Sequence, residues 1–143
     1  MRRGVWLTVL SIVTVAGVIG LIGAVPVVWA GASSALSQQV AGGGVTVIAT
    51  LMKAQGEATA IKLALETHSV NLDGFKWEAI ATLRDENGGT YPVEAVEQAS
   101  GGGHHRQAVL RFGKLSPEAK TIELIVKDVA GVKERTFRWP TTE

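Results

Sequence analysis

The chain has 143 residues, no cysteine, and a formal net charge of +1 from 14 basic and 13 acidic residues. This length suits one domain with an appendage. The absence of cysteine excludes disulfides, thiolate metal sites, cysteine nucleophiles and a lipidated N-terminal cysteine. The near-neutral charge offers no basic face for nucleic acid, so we expect no nucleic-acid partner.

The N-terminal segment has the pattern of a membrane anchor. Arg2 and Arg3 precede an uncharged apolar stretch, residues 4–30. A secretory signal has an apolar region of about 7–15 residues, whereas a membrane span needs about 20. Trp6 and Trp29 are 23 residues apart, which suits the two interfaces of a bilayer. We therefore predict a signal anchor over residues 1–30, with the N-terminus cytoplasmic and the rest outside.

Cleavage near Ala30 is the alternative for this segment. Val28 and Ala30 stand at the −3 and −1 positions of a cut after Ala30, and Ala32 allows a second cut site. Both alternatives place the following domain outside the cytoplasm, either at the cell membrane or exported. Residues 31–44 are rich in Gly, Ala and Ser and carry no charge, which predicts a flexible linker, with a helix that continues through residues 33–40 and ends at the glycine triplet as the alternative.

From residue 45 onward the pattern changes to short β-type runs separated by turns, which we take as one domain over residues 45–143. The predicted strands share β-branched residues or an apolar alternation of period two. They cover residues 45–52, 59–65, 77–84, 90–95, 106–112, 121–127 and 134–139. This predicts an all-β fold, a seven-stranded immunoglobulin-like or cupredoxin-like sandwich, with a small barrel as the alternative topology.

The three histidines suggest a transition-metal site. His104 and His105 follow a run of three glycines, and His68 follows a predicted strand. Neutral imidazoles suit Cu(II) or Zn, and Asp73 or Asp128 can complete the ligand set. Adjacent histidines on a strand point to opposite faces, however, and rarely serve one ion. The same residues therefore also fit a structural or recognition role.

Signals for catalysis are weak. Ser69 directly follows His68, and no nucleophile-elbow pattern surrounds it. The glycine run lacks the Lys-Ser/Thr of a phosphate-binding loop. Arginines scattered along the predicted strands are expected to be solvated or paired across strands. We therefore predict no enzymatic activity.

Three stretches carry a resemblance to known proteins. They are Thr67-His68-Ser69-Val70, then Gly102 to Arg106 with Val109-Leu110-Arg111-Phe112, and Asp128-Val129 through Phe137-Arg138-Trp139. Together they resemble a group of small exported or membrane-anchored prokaryotic β-sandwich proteins. The resemblance implies a location and a fold but no activity, cofactor or catalytic residue.

These observations predict a membrane-anchored, extracytoplasmic β-sandwich that binds a partner, such as another envelope protein, without catalysis. The loops near His68 and residues 101–106 are the predicted binding region. The alternative function is a histidine-based Cu(II) or Zn binding protein of the cell envelope, using His68, His104 and His105.

Overall fold

A computed structural model describes residues 36–54 and 58–141. The predicted anchor over residues 1–30 and the first part of the predicted linker lie outside these ranges. Within the described ranges, no helix is long and apolar enough to cross a membrane.

Eight strands and one short helix make up the described chain. In order, they are β1 Ser37–Gly42, β2 Val45–Lys53, β3 Thr59–Thr67, α1 Trp77–Ile80, β4 Ala81–Asp85, β5 Thr90–Gly102, β6 His105–Phe112, β7 Thr121–Val129 and β8 Val132–Pro140. All pairings are antiparallel, in the order β1-β2-β3-β6-β5-β4-β7-β8. The all-β prediction is confirmed, and the sheet is nearly barrel-shaped.

The strand count and arrangement differ from the predicted seven-stranded sandwich. The eighth strand, β1, lies within residues 31–44, where composition predicts a linker. The predicted strand over residues 77–84 instead begins with α1, because Trp77 and Ile80 lie one helical turn apart and are both buried. These differences leave one continuous sheet of eight strands in place of two separate layers.

β5 explains why the sheet is continuous. Its first residues, 90–92, pair with β4, and the rest of its thirteen residues pair with β6. The β5–β6 register shifts twice, between Val93 and Ala95 and between Glu97 and Ser100. Each shift is a bulge that bends and twists the strand, so β5 curves from one half of the sheet into the other.

Alternating apolar residues fill the inside of the curved sheet. On β3, Ile61, Leu63 and Leu65 are wholly buried, while Lys62 and Glu66 on the other face are exposed. The largest wholly buried side chains along the chain include Trp139, Phe112, Phe137, Leu83, Leu110, Ile122 and Leu124. Together these side chains form a single hydrophobic core, and packing against this core fixes the positions of the strands and their ends.

The first and last strands approach each other and are joined by side chains. The Gln38 amide donates from Nε2 to the Arg138 carbonyl at 2.6 Å and accepts from the Arg138 amide at 3.3 Å. The Trp139 indole donates to the Leu36 carbonyl at 3.0 Å. The buried Arg135 guanidinium donates to the Gly42 carbonyl at 2.6 Å and to the Val129 carbonyl at 3.0 Å. β1 is thereby fixed to the core although it has no strand partner on that side.

The strands define two ends of the domain. The end that we call the histidine end carries the β1–β2, β5–β6 and β7–β8 turns and the loop of residues 68–76. The opposite end, which we call the N-terminal rim, carries Leu36, Met52, the β4–β5 turn at residues 86–89 and the segment of residues 113–120.

Candidate functional site

All five predicted site residues lie at or next to the histidine end. His68 directly follows β3, and Asp73 lies in the loop of residues 68–76. His104 occupies the β5–β6 turn, and His105 begins β6. Asp128 lies near the end of β7 with a positive φ of 55°. The fold therefore places strand ends that are distant in sequence at one end of the sheet.

Backbone hydrogen bonds hold the loop of residues 68–76 against the β5–β6 turn. The Thr67 amide donates to the His104 carbonyl at 3.0 Å, and the Leu72 amide donates to the Gly103 carbonyl at 2.8 Å. In return, the Gly103 amide donates to Asp73 Oδ1 at 2.8 Å. Asp73 is thus occupied in fixing the turn.

Arg106 braces the same loop from beneath. Its Nη1 donates to the carbonyls of Leu72 at 2.6 Å and Phe75 at 2.7 Å. Its guanidinium carbon lies 5.0 Å from the centroid of the Trp77 ring, a cation–π distance. A half-buried cation that satisfies two loop carbonyls makes the loop conformation costly to change.

Thr67 links the loop to the β1–β2 turn. Its hydroxyl donates to the Gly44 carbonyl at 2.6 Å and accepts from the amides of Ser69 at 3.2 Å and Val70 at 3.1 Å. The β1–β2 turn in turn lies tightly against the β7–β8 turn, because a Cβ on Gly43 would overlap the Ala130 carbonyl. All four connections of the histidine end are therefore joined in a series.

The three histidine side chains remain at the surface of this rigid end. His105 Nδ1 lies 3.4 Å from Glu66 Oε1 on the neighbouring strand, and both side chains are about half exposed. The side chains of His68 and His104 are exposed and make no hydrogen bond to other described residues. These two imidazoles thus have no structural task within that part of the chain.

The described residues do not assemble a metal-ligand set. No group of three or more histidine, cysteine, aspartate or glutamate side chains within residues 36–54 and 58–141 is arranged to hold a metal ion. The closest approach to the predicted site is the pair of His105 and Glu66. Two side chains are fewer than the three protein ligands of a typical catalytic zinc site.

The strand arginines divide into two groups. As expected for arginines on strands, Arg84 and Arg138 both bind Glu123 across β7, and Arg111 binds Glu97 at 2.7 Å. Hydrogen bonds from Arg84 and Arg138 hold the pKa of Glu123 below its ordinary value. Arg106 and Arg135 instead bind backbone carbonyls at the histidine end.

A surface pocket of about 510 Å³ lies near the N-terminal rim, around Arg84, Glu123 and Arg138. Its three carboxylates are all engaged within the chain: Glu123 with the arginines, Glu86 with the backbone amides of Lys120 and Thr121, and Asp85 with the Tyr91 hydroxyl at 2.7 Å. The carboxylates around this pocket therefore bond to groups of the protein itself and have a structural role.

Sequence reasoning missed the residues that make the histidine end rigid. From the sequence, Arg106 stands out only as one of the strand arginines and as the end of the stretch that follows the glycine run, and Thr67 only as part of a resemblance. A signal was present for Thr67, because a threonine at a strand end before a loop commonly bonds to nearby backbone groups; no comparable signal marks Arg106. The partners of the Arg106 bonds and of the Thr67 bond to Gly44 lie 23 to 34 residues away, so only the fold identifies these partners.

No protein-family model matches this chain, and neither a curated protein nor a solved structure is significantly similar to it.

Proposed function

We propose that this protein is a non-enzymatic binding module, anchored in the cell membrane by residues 1–30, that binds an envelope protein through its histidine end outside the cytoplasm. The observation that carries the proposal is the combination of a rigid loop set with two exposed imidazoles, His68 and His104, that bond to nothing in the described chain.

Rigidity favours binding because the entropy of ordering the loops is lost during folding and not during association. Arg106, Asp73 and Thr67 supply that rigidity through six hydrogen bonds to the loop and its neighbouring turns. An imidazole both donates and accepts hydrogen bonds, so the exposed His68 and His104 suit a polar partner surface. Loops on a rigid scaffold are common places for such recognition.

Site-specific crosslinking tests the proposal, and the cysteine-free sequence makes it clean. His104→Cys and Asn87→Cys each provide one exposed thiol, at the histidine end and at the opposite end respectively. Each full-length variant is labelled with a photoreactive maleimide in membranes of the source organism and irradiated. We expect a discrete crosslinked product at position 104 and none at position 87.

An added Arg106→Ala substitution serves as the matched control, because it loosens the loop and leaves the thiol in place. The product at position 104 should then fall strongly. Because His104→Cys removes one of the two imidazoles, Ser69→Cys, at the exposed position beside His68, is the second reporter, and equal products at positions 69 and 87, or no product at either position 69 or position 104, would overturn the proposal.

Metal binding is the second candidate function, and the pair of His105 and Glu66 is the observation that favours it. Its chemistry is that of an exposed Cu(II) or Zn site with an imidazole and a carboxylate ligand. Cu(II) and Zn(II) titrations of the full chain and of a His105→Ala variant distinguish the two functions, because stoichiometric binding that the variant loses would favour the metal site.

A further inference from the structure

The chain enters the folded domain at a fixed point on the N-terminal rim. The Leu36 carbonyl accepts two hydrogen bonds, from the Leu51 amide at 2.8 Å and from the Trp139 indole at 3.0 Å. Leu36 is therefore bonded to both β2 and β8. Whatever precedes it leaves the domain from this position, beside the end of β2.

The strand β1 makes the connection to the proposed anchor short. If residues 4–30 span the membrane, only residues 31–35 separate the span from Leu36. Six steps of an extended chain reach at most about 20 Å. A linker over residues 31–44, as composition predicts, would have allowed more than twice that distance. Leu36 on the rim therefore lies within about 20 Å of the end of the membrane span. The interfacial region of the bilayer itself occupies roughly 5–8 Å on each side of the hydrocarbon core.

The same rim carries the exposed apolar side chains of the described chain. Leu36 is 50% exposed and Met52 is 56% exposed, and no other large hydrophobic residue in residues 36–54 and 58–141 is exposed. Leu36, which directly precedes β1, lies beside the end of β2 that carries Met52, because its carbonyl accepts from the Leu51 amide. Their position beside the point where the chain enters is what a lipid-facing rim requires, since a membrane interface accepts apolar side chains that water does not.

The distribution of charged residues indicates which side of the rim faces the membrane. No charged residue occurs from position 4 to position 52, so β1 carries no charge and β2 carries only Lys53, its last residue. β4 lies four strands away from β2 in the eight-stranded order, on the opposite side of the curved sheet. The β4–β5 turn there begins with Glu86, whose side chain is exposed, and carboxylates resist desolvation.

From this arrangement we infer that the domain sits directly on the bilayer, with Leu36 and Met52 against the lipid headgroups and the β4–β5 turn farther out. The inference rests on the proposed membrane anchor. Strands of nine residues at about 3.3 Å per residue place the histidine end up to about 30 Å above the rim. The histidine end then faces away from the membrane, where a partner can reach it.

Depth-dependent quenching tests this orientation. Met52→Cys, Asn87→Cys and His104→Cys variants of the full chain are labelled with a fluorophore and placed in phosphatidylcholine vesicles that contain a headgroup nitroxide quencher. We expect quenching at position 52 to be several-fold stronger than at position 104, with position 87 between them. Leu36→Cys is the second reporter of the rim, because its structural hydrogen bonds come from the backbone.

Alkaline extraction of the same vesicles separates the two proposals. Release of the protein would overturn the anchor and this inference together. Retention of the protein with equal quenching at positions 52 and 104, or with quenching at position 87 equal to or above that at 52, would overturn only the orientation.

Discussion

At the histidine end, two buried or half-buried cations bond to backbone carbonyls and only the exposed Asp73 accepts a backbone amide, whereas near the N-terminal rim two carboxylates bond to backbone amides. Arg106 and Arg135 donate to four carbonyls of the turns and loop. At the other end, Asp85 accepts from the amides of Asn87 and Gly89, and Glu86 accepts from two amides that precede and begin β7. Guanidinium groups keep their charge at any ordinary pH, whereas carboxylates do not. The two ends should therefore respond differently to mutation and to acid.

Removal of the Arg106 side chain should have the largest effect. Arg106→Ala leaves the carbonyls of Leu72 and Phe75 without their donor and removes the contact with the Trp77 ring. We expect a loss of about 3–4 kcal/mol in the free energy of unfolding. Urea unfolding of the full chain in detergent measures it.

Arg111→Ala is the matched control for that substitution. Arg111 and its partner Glu97 are both 42% exposed, and exposed ion pairs contribute little. The control should cost less than about 1 kcal/mol. Equal losses for the two variants would show that Arg106 does not brace the loop.

Alanine substitutions at turn glycines should lower the free energy of unfolding by different amounts at the two ends. Gly43 and Gly88 both have positive φ, 60° and 89°. A Cβ at Gly43 overlaps the Ala130 carbonyl, whereas a Cβ at Gly88 meets nothing within 4 Å. Gly43→Ala should cost about 2–4 kcal/mol from the strained φ and the overlap together. Gly88→Ala should cost about 1–2 kcal/mol from the strained φ alone.

The same urea titrations at neutral pH provide the measurement. If Gly88→Ala is as costly as Gly43→Ala, the β1–β2 and β7–β8 turns are not packed together as described. Ala130→Gly offers a test in the opposite direction, because Ala130 has a φ of 53°. Relief of that strain should stabilise the protein by up to about 1 kcal/mol.

Acid should weaken the carboxylate end first. The hydrogen bond from the Tyr91 hydroxyl is the main factor that lowers the pKa of Asp85, and the Lys120 amide does the same for the pKa of Glu86. A group whose folded pKa is lowered stabilises the fold above its unfolded pKa, and that stability is lost as the pH falls through the folded pKa. We therefore expect stability to decline below about pH 4, where aspartate and glutamate ordinarily titrate.

Asp85→Asn identifies the contribution of one carboxylate. Asp85 is 4% exposed and accepts three hydrogen bonds, so the variant should lose about 1–2 kcal/mol at pH 7. Its stability should also depend less on pH in the acid range. Stability is followed by urea unfolding from pH 7 to pH 3, and an unchanged acid dependence would contradict the assignment to Asp85.

The parts of the fold that sequence patterns predict are those where side chains alternate simply. β3, β6, β7 and β8 each show apolar residues of period two, and the structure places those residues inside. β1 escapes such reasoning because its attachment depends on the polar Gln38, which bonds to the backbone of β8. A fragment that begins at Val45 would lack β1 and these bonds, so experiments require the chain from before Leu36.

The candidate site was predictable in location but not in mechanism. The glycine run and the histidines lie at one end of the sheet, where glycines with positive φ at positions 101 and 103 are part of the β5–β6 hairpin. Asp73 was considered as a metal ligand, yet it accepts the Gly103 amide. Whether a carboxylate faces an ion or a backbone amide depends on the packing of a loop 30 residues away, which residue spacing does not contain.

We expect the smallest effect on stability from substitution of the exposed histidines. This prediction separates the residues that hold the loops of the histidine end in place from the residues that lie on its surface. A His68→Ala/His104→Ala variant should unfold within about 0.5 kcal/mol of the wild type, as exposed side chains outside bonded networks do. Cu(II) and Zn(II) titrations of the full-length wild type, of this variant and of a His105→Ala variant, which removes the imidazole beside Glu66, should all show only weak binding. Stoichiometric binding at micromolar or tighter affinity that either variant loses would instead make the metal site the leading function. A large loss of stability in the His68→Ala/His104→Ala variant would contradict this separation. It would mean that the histidines stabilise the histidine end together with Arg106, Asp73 and Thr67.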